Sequence, residues 1–373
     1  MPRIPQIAID FRWLDHGSLG SGQYRYAVDL IRGLAELDPE PRFLVLGSKQ
    51  HPVDEIAGVF RRTNWRYESV PRLSGKGSLY REQVRYFGLL RGLDVDLLHA
   101  LHTFVPIYPS VPVIETVYDM MQELFPEYAA VVNSREYRLH KWAFRRFVTR
   151  AIAISQTTAN DLERLWNFPA DRVDVVYLGT KLPEPTAAIA PSGQPIILSP
   201  YNLEPRKNLS RLLESAAKLK AGGLDFRLVL FGRAAVNDER ERHFQGDLAR
   251  LGLESSTELT GRISDEALVN LYRQCSVFVF PSLYEGFGLP VLEAMAAGAR
   301  VVAHHGSAMA EVLGDTGFLT DTTDDNQIAS AIKAAMNDRT KLEQAQKRSR
   351  LFSRERMARE TLAVYEKALN LGT

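Results

Sequence analysis

A chain of 373 residues exceeds the roughly 250–300 residues at which single cores stop growing, so two domains are expected. Its 46 Lys and Arg against 45 Asp and Glu leave no excess charge for a polyanion, which puts nucleic acid out of first consideration. A single cysteine, Cys275, excludes an intrachain disulfide framework and reads as a small buried hydrophobe, and no apolar run nears the roughly 18 residues that cross a bilayer.

In chain order, QIAIDF (6–11) reads as a strand, followed by a helix from Gln23 to Leu37 and a strand at RFLVLG (42–47). The opening MPRIPQIAIDF carries no leader pattern, which makes the cytoplasm, up to a peripheral place at the inner face of the membrane, the expected location. Further strands are expected at VDLLHA (95–100), VPVIETV (111–117), AIAIS (151–155) and VDVVYLG (173–179), with helical patterns between them. KLPEPTAAIAPSGQ (181–194), with three prolines and no periodicity, reads as a linker. A second series follows: PIILS (195–199), RLVLFG (227–232), STELTG (256–261), SVFVF (276–280) and RVVA (300–303). The alternation predicts two α/β doubly wound domains, 1–180 and 195–353, facing each other across a cleft. The amphipathic helix of the terminal segment 354–373 is expected to cap the second domain or to cross back to the first. In such sheets ligands sit beyond the carboxyl ends of the strands, so strand-end loops are where candidate residues belong.

One such loop, PSLYEGFGLPVLEAM (281–295), carries two glutamates in an apolar setting. Gly286 and Gly288 allow close backbone approach, Pro290 suits a first helical turn, and the free amides there suit phosphate or hydroxyl oxygens. Glu293, about one turn into the helix, leans back toward the same ligand, and a carboxylate can accept two adjacent hydroxyls such as those of a ribose. A capping glutamate followed by a first-turn glutamate explains the spacing equally well.

PSLYEGFGLPVLEAMAAG, preceded by TGRISDEALVNLYRQCSVFVF and followed by VVAHHGSAMAEVLGDTGFL, resembles the signature of the group 1 nucleotide-sugar glycosyltransferases, the retaining family with the GT-B fold of two Rossmann-like domains. The resemblance is close over about 256–320. It implies that Glu285 meets the donor sugar, that Glu293 binds the ribose, and that the backbone of Gly286, Phe287, Gly288 and Leu289 contacts sugar and phosphate, with Arg262 also on the donor side. It further implies a nucleoside diphosphate sugar as co-substrate, no metal or other cofactor, and a saccharide or glycolipid acceptor.

Beyond the first strand of the second series, SPYNLEPRKN (199–208) sets Arg206 and Lys207 at a helix start, where a cationic pair can meet the charge developing on a departing diphosphate. Lys207 matches the family lysine, whereas Asn202 stands where many members have arginine, with Arg206 its possible substitute. Resemblance to the EPRKN subgroup points to GDP-mannose as donor, with UDP-glucose or a related UDP-sugar second. In SLGSGQYRY (18–26), Gly20 and Gly22 form either a tight turn or, by resemblance, a loop over the donor phosphates.

Across the first series, Tyr118 and Asp119 occupy the place of a His–Asp pair found in many relatives, and are assigned to the acceptor side. Tyrosine, with a reference pKa near 10, is a poor general base at neutral pH, but retaining transfer in this fold is thought to pass the acceptor proton to the leaving phosphate. His99 and His102 are expected to line the acceptor side and not to hold a metal. SREYRLHKWAFRRFVTR (134–150) is a basic amphipathic helix: either it rests on anionic lipid, or Trp142 and Phe147 face the core, the reading preferred here. Two other functions stay open, a nonenzymatic partner subunit that keeps nucleotide-sugar binding and a sugar-nucleotide epimerase or phosphorylase on the same fold.

Overall fold

The structure, a computed structural model, describes residues 3–14, 21–71, 73, 78–102, 106–180, 193–232, 238–338 and 340–370; Gly20 and most of the expected linker, 181–192, lie outside them. The chain divides into two units, Met1–Lys181 with Phe352–Thr373, and Leu182–Leu351.

The first unit is built on a parallel seven-stranded sheet. Its strands are β1 (Gln6–Asp10), β2 (Arg42–Gly47), β3 (Trp65–Ser69), β4 (Leu97–Ala100), β5 (Val113–Val117), β6 (Arg150–Ala153) and β7 (Val173–Val175), in the order β3-β2-β1-β4-β5-β6-β7. All of β4, β5 and β6 is buried, as central parallel strands covered on both faces require. The sequence pattern missed β3, a half-exposed edge strand, and overextended β7.

The C-terminal helix Arg354–Asn370 belongs to this unit and lies against the helix Gly22–Leu37. Gly33 makes the approach possible, since a Cβ there would stand 2.8 Å from Arg354 Cγ and 3.0 Å from the Arg354 carbonyl oxygen. Arg354 binds Asp29 (2.9 Å) and Glu36 (2.8 Å). His99 was expected on the acceptor side; it is instead fully buried between the hydroxyls of Tyr365 and Thr116, each 2.8 Å away. Successive side chains of β4 point to opposite faces, both of them covered, and this histidine falls on the face packed under the C-terminal helix.

The second unit has six parallel strands, β8 (Ile196–Pro200), β9 (Arg227–Phe231), β10 (Thr257–Gly261), β11 (Val277–Phe280), β12 (Val301–His304) and β13 (Phe318–Thr320), in the order β10-β9-β8-β11-β12-β13. Renumbered from the first, this is the 3-2-1-4-5-6 order of a Rossmann sheet, in which the winding reverses between strands 1 and 4. Here the reversal lies between β8 and β11, and the loops beyond them are the two that carry the charged motifs. Cys275 is buried just before β11; burial pushes its thiol up to about 12, so it behaves as a packing residue.

Candidate functional site

Beyond β8 the chain makes a single helical turn, Pro205–Lys207, and Asn208 takes a left-handed conformation (φ 58°) before the helix Leu209–Ala221. Asn208 is held by its side-chain amide, which donates to the carbonyls of Thr322 (2.6 Å) and Pro281 (3.3 Å). Asn202 works locally, its side-chain oxygen accepting from the Glu204 amide (2.9 Å). Beyond β11 the loop ends at Gly288 (φ 97°), whose left-handed turn and contact with Met309, 3.0 Å from an added Cβ, leave no comfortable place for a side chain. The helix Leu289–Ala297 follows, with Pro290 in its first turn and Gly298 (φ 88°) closing it.

These two loops converge on one carboxylate. Glu285 Oε1 lies 2.6 Å from Lys207 Nζ, 3.3 Å from the Arg206 guanidinium, and accepts from the Ser282 hydroxyl at 2.6 Å. Arg206 also binds Glu204 (2.9 Å), and its carbonyl accepts from the Leu283 amide (2.8 Å), which stitches the loops together. The three charged side chains retain only 11–19% exposure, so water screens them weakly. The result is a partly dry cationic pair beside a carboxylate at the switch point of the sheet. Such a group can bind a diphosphate through the cations and a hydroxyl-bearing ring through the acid.

The remaining sequence candidates separate. Glu293 is one turn into the helix after Gly288, partly exposed and on the same strand-end loop and helix. Phe287 is 3% exposed, so only its backbone is open to contact, and Gly286 before it is buried as well. Arg262 is exposed beyond the edge strand β10, with β9 between it and β8, and makes no hydrogen bond or ion pair among the described residues. In the first unit Gly22 opens the helix Gly22–Leu37, behind an N-cap in which Ser21 accepts from the Tyr24 amide.

Within the first unit, a cavity of about 440 Å³ opens where β5 ends. Tyr118 and Asp119 line it, as does His102, stacked on Trp13 with ring centroids 5.0 Å apart. The Tyr118 hydroxyl donates to the Leu101 carbonyl (2.8 Å), so the ring shapes the wall while its hydroxyl is committed to the fold; burial and its neighbours push that hydroxyl's pKa further above the ordinary range. Trp13 is set by its neighbour Arg12, which is buried and bridges Asp10 (3.0 Å) and Glu82 (3.3 Å), with Tyr86 donating to Asp10. The sequence reading missed the cavity's two most unusual members, Glu115 in the middle of buried β5 and His140 on the helix Arg135–Phe147. A carboxylate inside VPVIETV was the signal available.

The helix Arg135–Phe147 also corrects an expectation. Phe147 is partly buried and packs against the core as expected, but Trp142 is 48% exposed and only meets Phe147 edge-on (5.4 Å), while Ala143 and Phe144 are the helix's buried residues. Among the described residues, His304, His305 and Asp321 bring possible ligand atoms within 4.8 Å at the ends of β12 and β13. His304 is engaged by Thr322 (3.1 Å) and His305 by the Thr320 carbonyl (3.0 Å).

Two Rossmann-like units, with a carboxylate and two cations at the switch point of the second, define a protein of the GT-B fold. The family described as glycosyl transferases group 1 matches residues 184–352, and glycosyltransferase family 4 matches residues 20–182. The chain belongs to the group 1 glycosyltransferases. It is similar to O-antigen chain mannosyltransferase B of Escherichia coli, 31% identical over 58% of this chain and 60% of the relative. It is also similar to the MMP alpha-(1->4)-mannosyltransferase of Mycolicibacterium hassiacum, 30% identical over 60% of this chain and 55% of that relative. The alignment thus spans little more than half the length of either relative. The fold is shared with Anabaena HepE, solved in complex with UDP and glucose, at a TM-score of 0.73 and 18% identity over 97% of this chain and all of that one.

Proposed function

We propose that the protein is a retaining hexosyltransferase that moves a sugar from a nucleoside diphosphate donor to an acceptor hydroxyl. The observation that carries this reading is the contact of Lys207 and Arg206 with Glu285 at the β8/β11 switch point. In the reaction the bond from the anomeric carbon to the diphosphate oxygen breaks and the acceptor oxygen bonds to the same carbon on the same face. The acceptor proton leaves on the nucleoside diphosphate. Lys207 and Arg206 stabilise the negative charge as it grows on the leaving group, Glu285 orients the sugar, and Glu293 holds the ribose hydroxyls. The amides of Gly286–Leu289 line the phosphate side. No step calls for a metal.

The mannosyltransferase relatives and the EPRKN loop favour GDP-mannose; the UDP and glucose of the HepE complex keep UDP-glucose second. A thermal-shift screen against GDP, UDP and ADP, followed by release of nucleoside diphosphate from the matching sugar donor, tests the reading. Release by the wild-type protein and its collapse in Glu285→Ala support it. Nucleotide binding with no release would make the chain a partner subunit, and isomerised sugar would make it an epimerase.

The acceptor is read as a polysaccharide, lipid-linked oligosaccharide or glycolipid presented at an anionic membrane face. No described helix is long and apolar enough to cross a membrane. Peripheral contact through 134–150 is favoured by exposed Trp142 and by Tyr108 (68% exposed) beside Phe147, with Arg138, Arg145 and Arg146 exposed around them. Sedimentation with phosphatidylglycerol vesicles at low salt should pull the protein down, and Arg145→Glu with Arg146→Glu should release it; no sedimentation of the wild type would sink this contact.

A further inference from the structure

The residue that follows the two cations of the second unit is held in an unusual way. Asn208 precedes the helix Leu209–Ala221, a place where asparagine ordinarily accepts from a helix amide, yet its side chain makes no such cap. A side-chain amide has two N–H donors, and both leave the helix, one to the Thr322 carbonyl (2.6 Å) and one to the Pro281 carbonyl (3.3 Å). Pro281 follows β11 and Thr322 follows β13, so one half-buried side chain ties its own loop to the loop that carries Glu285 and to the loop beyond β13.

Both ends of the tie are fixed in turn. Thr322 is fully buried, and its backbone amide donates to Nδ1 of His304, the last residue of β12, at 3.3 Å, with the Thr322 hydroxyl 3.1 Å from the same nitrogen. A backbone amide can only donate, so His304 Nδ1 acts here as the acceptor that holds Thr322. At the other end the Leu283 amide donates to the Arg206 carbonyl (2.8 Å), and the Ser282 hydroxyl lies 2.6 Å from Glu285 Oε1. What is held between them has little strength of its own: Pro205–Lys207 is a single helical turn, and one isolated turn is costly to form. Lys207 reaches Glu285 on a flexible four-carbon stem, with Nζ 5.6 Å from the Phe280 ring centroid, so the backbone beneath it sets where the ammonium lies.

Resting on the transferase reading above, we propose that Asn208 is a positioning residue for the transfer: its side-chain amide, backed by Thr322 and His304, fixes the turn from which Lys207 and Arg206 meet the departing diphosphate. Because those cations act on charge that grows as the leaving group departs, a displaced turn lowers the rate of the chemical step more than it weakens the donor complex.

Substitutions at two positions of the full chain test this. Asn208→Gly accepts the left-handed φ of 58° without strain and removes only the amide. Release of nucleoside diphosphate from the sugar donor should show kcat lower by about tenfold to a hundredfold, the scale expected when a group moves by on the order of 1 Å. KM for the donor should stay within about threefold of the wild type. His304→Asn, whose side-chain oxygen can stand in for Nδ1, should keep kcat within about threefold, whereas His304→Leu, which cannot accept, should lose more. A role confined to stability would lower Tm and leave kcat unchanged well below it. Wild-type kcat in Asn208→Gly, or equal kcat in His304→Leu and His304→Asn, overturns the proposal; should Asn208→Gly not fold, the His304 pair answers the same question. Crystal structures of the wild type and Asn208→Gly add a reading that needs no turnover: the separation of Lys207 Nζ from Glu285 should widen past about 4 Å, the limit of an ion pair, and an unchanged separation is equally fatal. A wild type that turns over no donor, with Lys207 displaced in the variant, removes the transferase and leaves the anchor standing; turnover undiminished in the variant does the reverse.

Discussion

Neutralising Glu285 should separate nucleotide binding from turnover in opposite directions. In this structure the Lys207 ammonium lies 2.6 Å from Glu285 and the Arg206 guanidinium 3.3 Å from it. A diphosphate arriving at these cations has to replace those contacts. A hydrogen bond to a charged group is worth ~1.5–3 kcal/mol net, and Glu285→Gln keeps the shape while removing the charge, so roughly half of that resistance should vanish. About 1.4 kcal/mol is tenfold, so nucleoside diphosphate should bind Glu285→Gln about tenfold more tightly. Turnover should fall, because the carboxylate that orients the sugar is gone; loss of one well-placed group in such a site costs ~10²–10³ in rate. Titration calorimetry with GDP and UDP gives the first quantity and release of nucleoside diphosphate from the sugar donor gives the second. Arg206 keeps Glu204 at 2.9 Å, so the variant should melt within a few degrees of the wild type. A variant whose nucleotide affinity falls in step with its turnover, or that transfers sugar at near wild-type rate, would refute the argument.

Three further outcomes are expected. Gly33→Ala would ordinarily stabilise a helix interior by ~0.5–1 kcal/mol, yet the added methyl meets Arg354 at 2.8 Å and its carbonyl oxygen at 3.0 Å. A fall in Tm of several degrees is therefore anticipated, and a rise would show that the C-terminal helix yields easily. Burial holds His99 neutral in the native state down to about pH 3, whereas the unfolded chain takes up the proton near 6.5. Its stability contribution is therefore present above 6.5 and lost as pH falls toward 3, by ~1.4 kcal/mol per unit. Glu115, held protonated by burial, acts in the opposite sense above pH 4.5, so the test is the difference in urea midpoints between wild type and His99→Asn, which should narrow from pH 7 to 4.5. Finally, EDTA should leave sugar transfer intact; loss of activity restored by manganese would defeat the metal-free mechanism.

Most of the architecture was legible because central parallel strands are short, apolar and regularly spaced. SVFVF and RFLVLG declare themselves by composition alone. The two strands missed, WRYES and FLT, lie at sheet edges, where half the side chains meet water and the pattern thins to a few residues. The fate of the C-terminal helix was ambiguous in sequence because amphipathicity says that a face is buried but not against what. Its partner is fixed by a glycine, Gly33, more than 300 residues away, together with Asp29 and Glu36. Trp142 misled for a related reason: size and aromaticity favour burial, but helical phase decides, and Phe144 holds the inward position.

The candidate residues of the two units differ in legibility although the sheets share a winding rule. In the second unit the charged cluster comes from two unbroken loops, EPRKN and YEGFG, so each motif carries its neighbours with it and a strand order supplies the rest. In the first unit the cavity wall is assembled from residues 13, 102, 115–121 and the helix Arg135–Phe147, which no local spacing connects. Tyr118, the position singled out in sequence, turns its hydroxyl to Leu101, while three residues earlier Glu115 lies buried in β5 with one carboxyl oxygen lacking a hydrogen-bond partner among the described residues. A loop can change residue types without disturbing the sheet, but a glutamate inside a fully buried strand opposes folding wherever it is not used. The departure from apolar pattern within VPVIETV is therefore a stronger functional signal than the replacement of a histidine at the strand end, because only the former carries a physical cost that the fold itself does not offset.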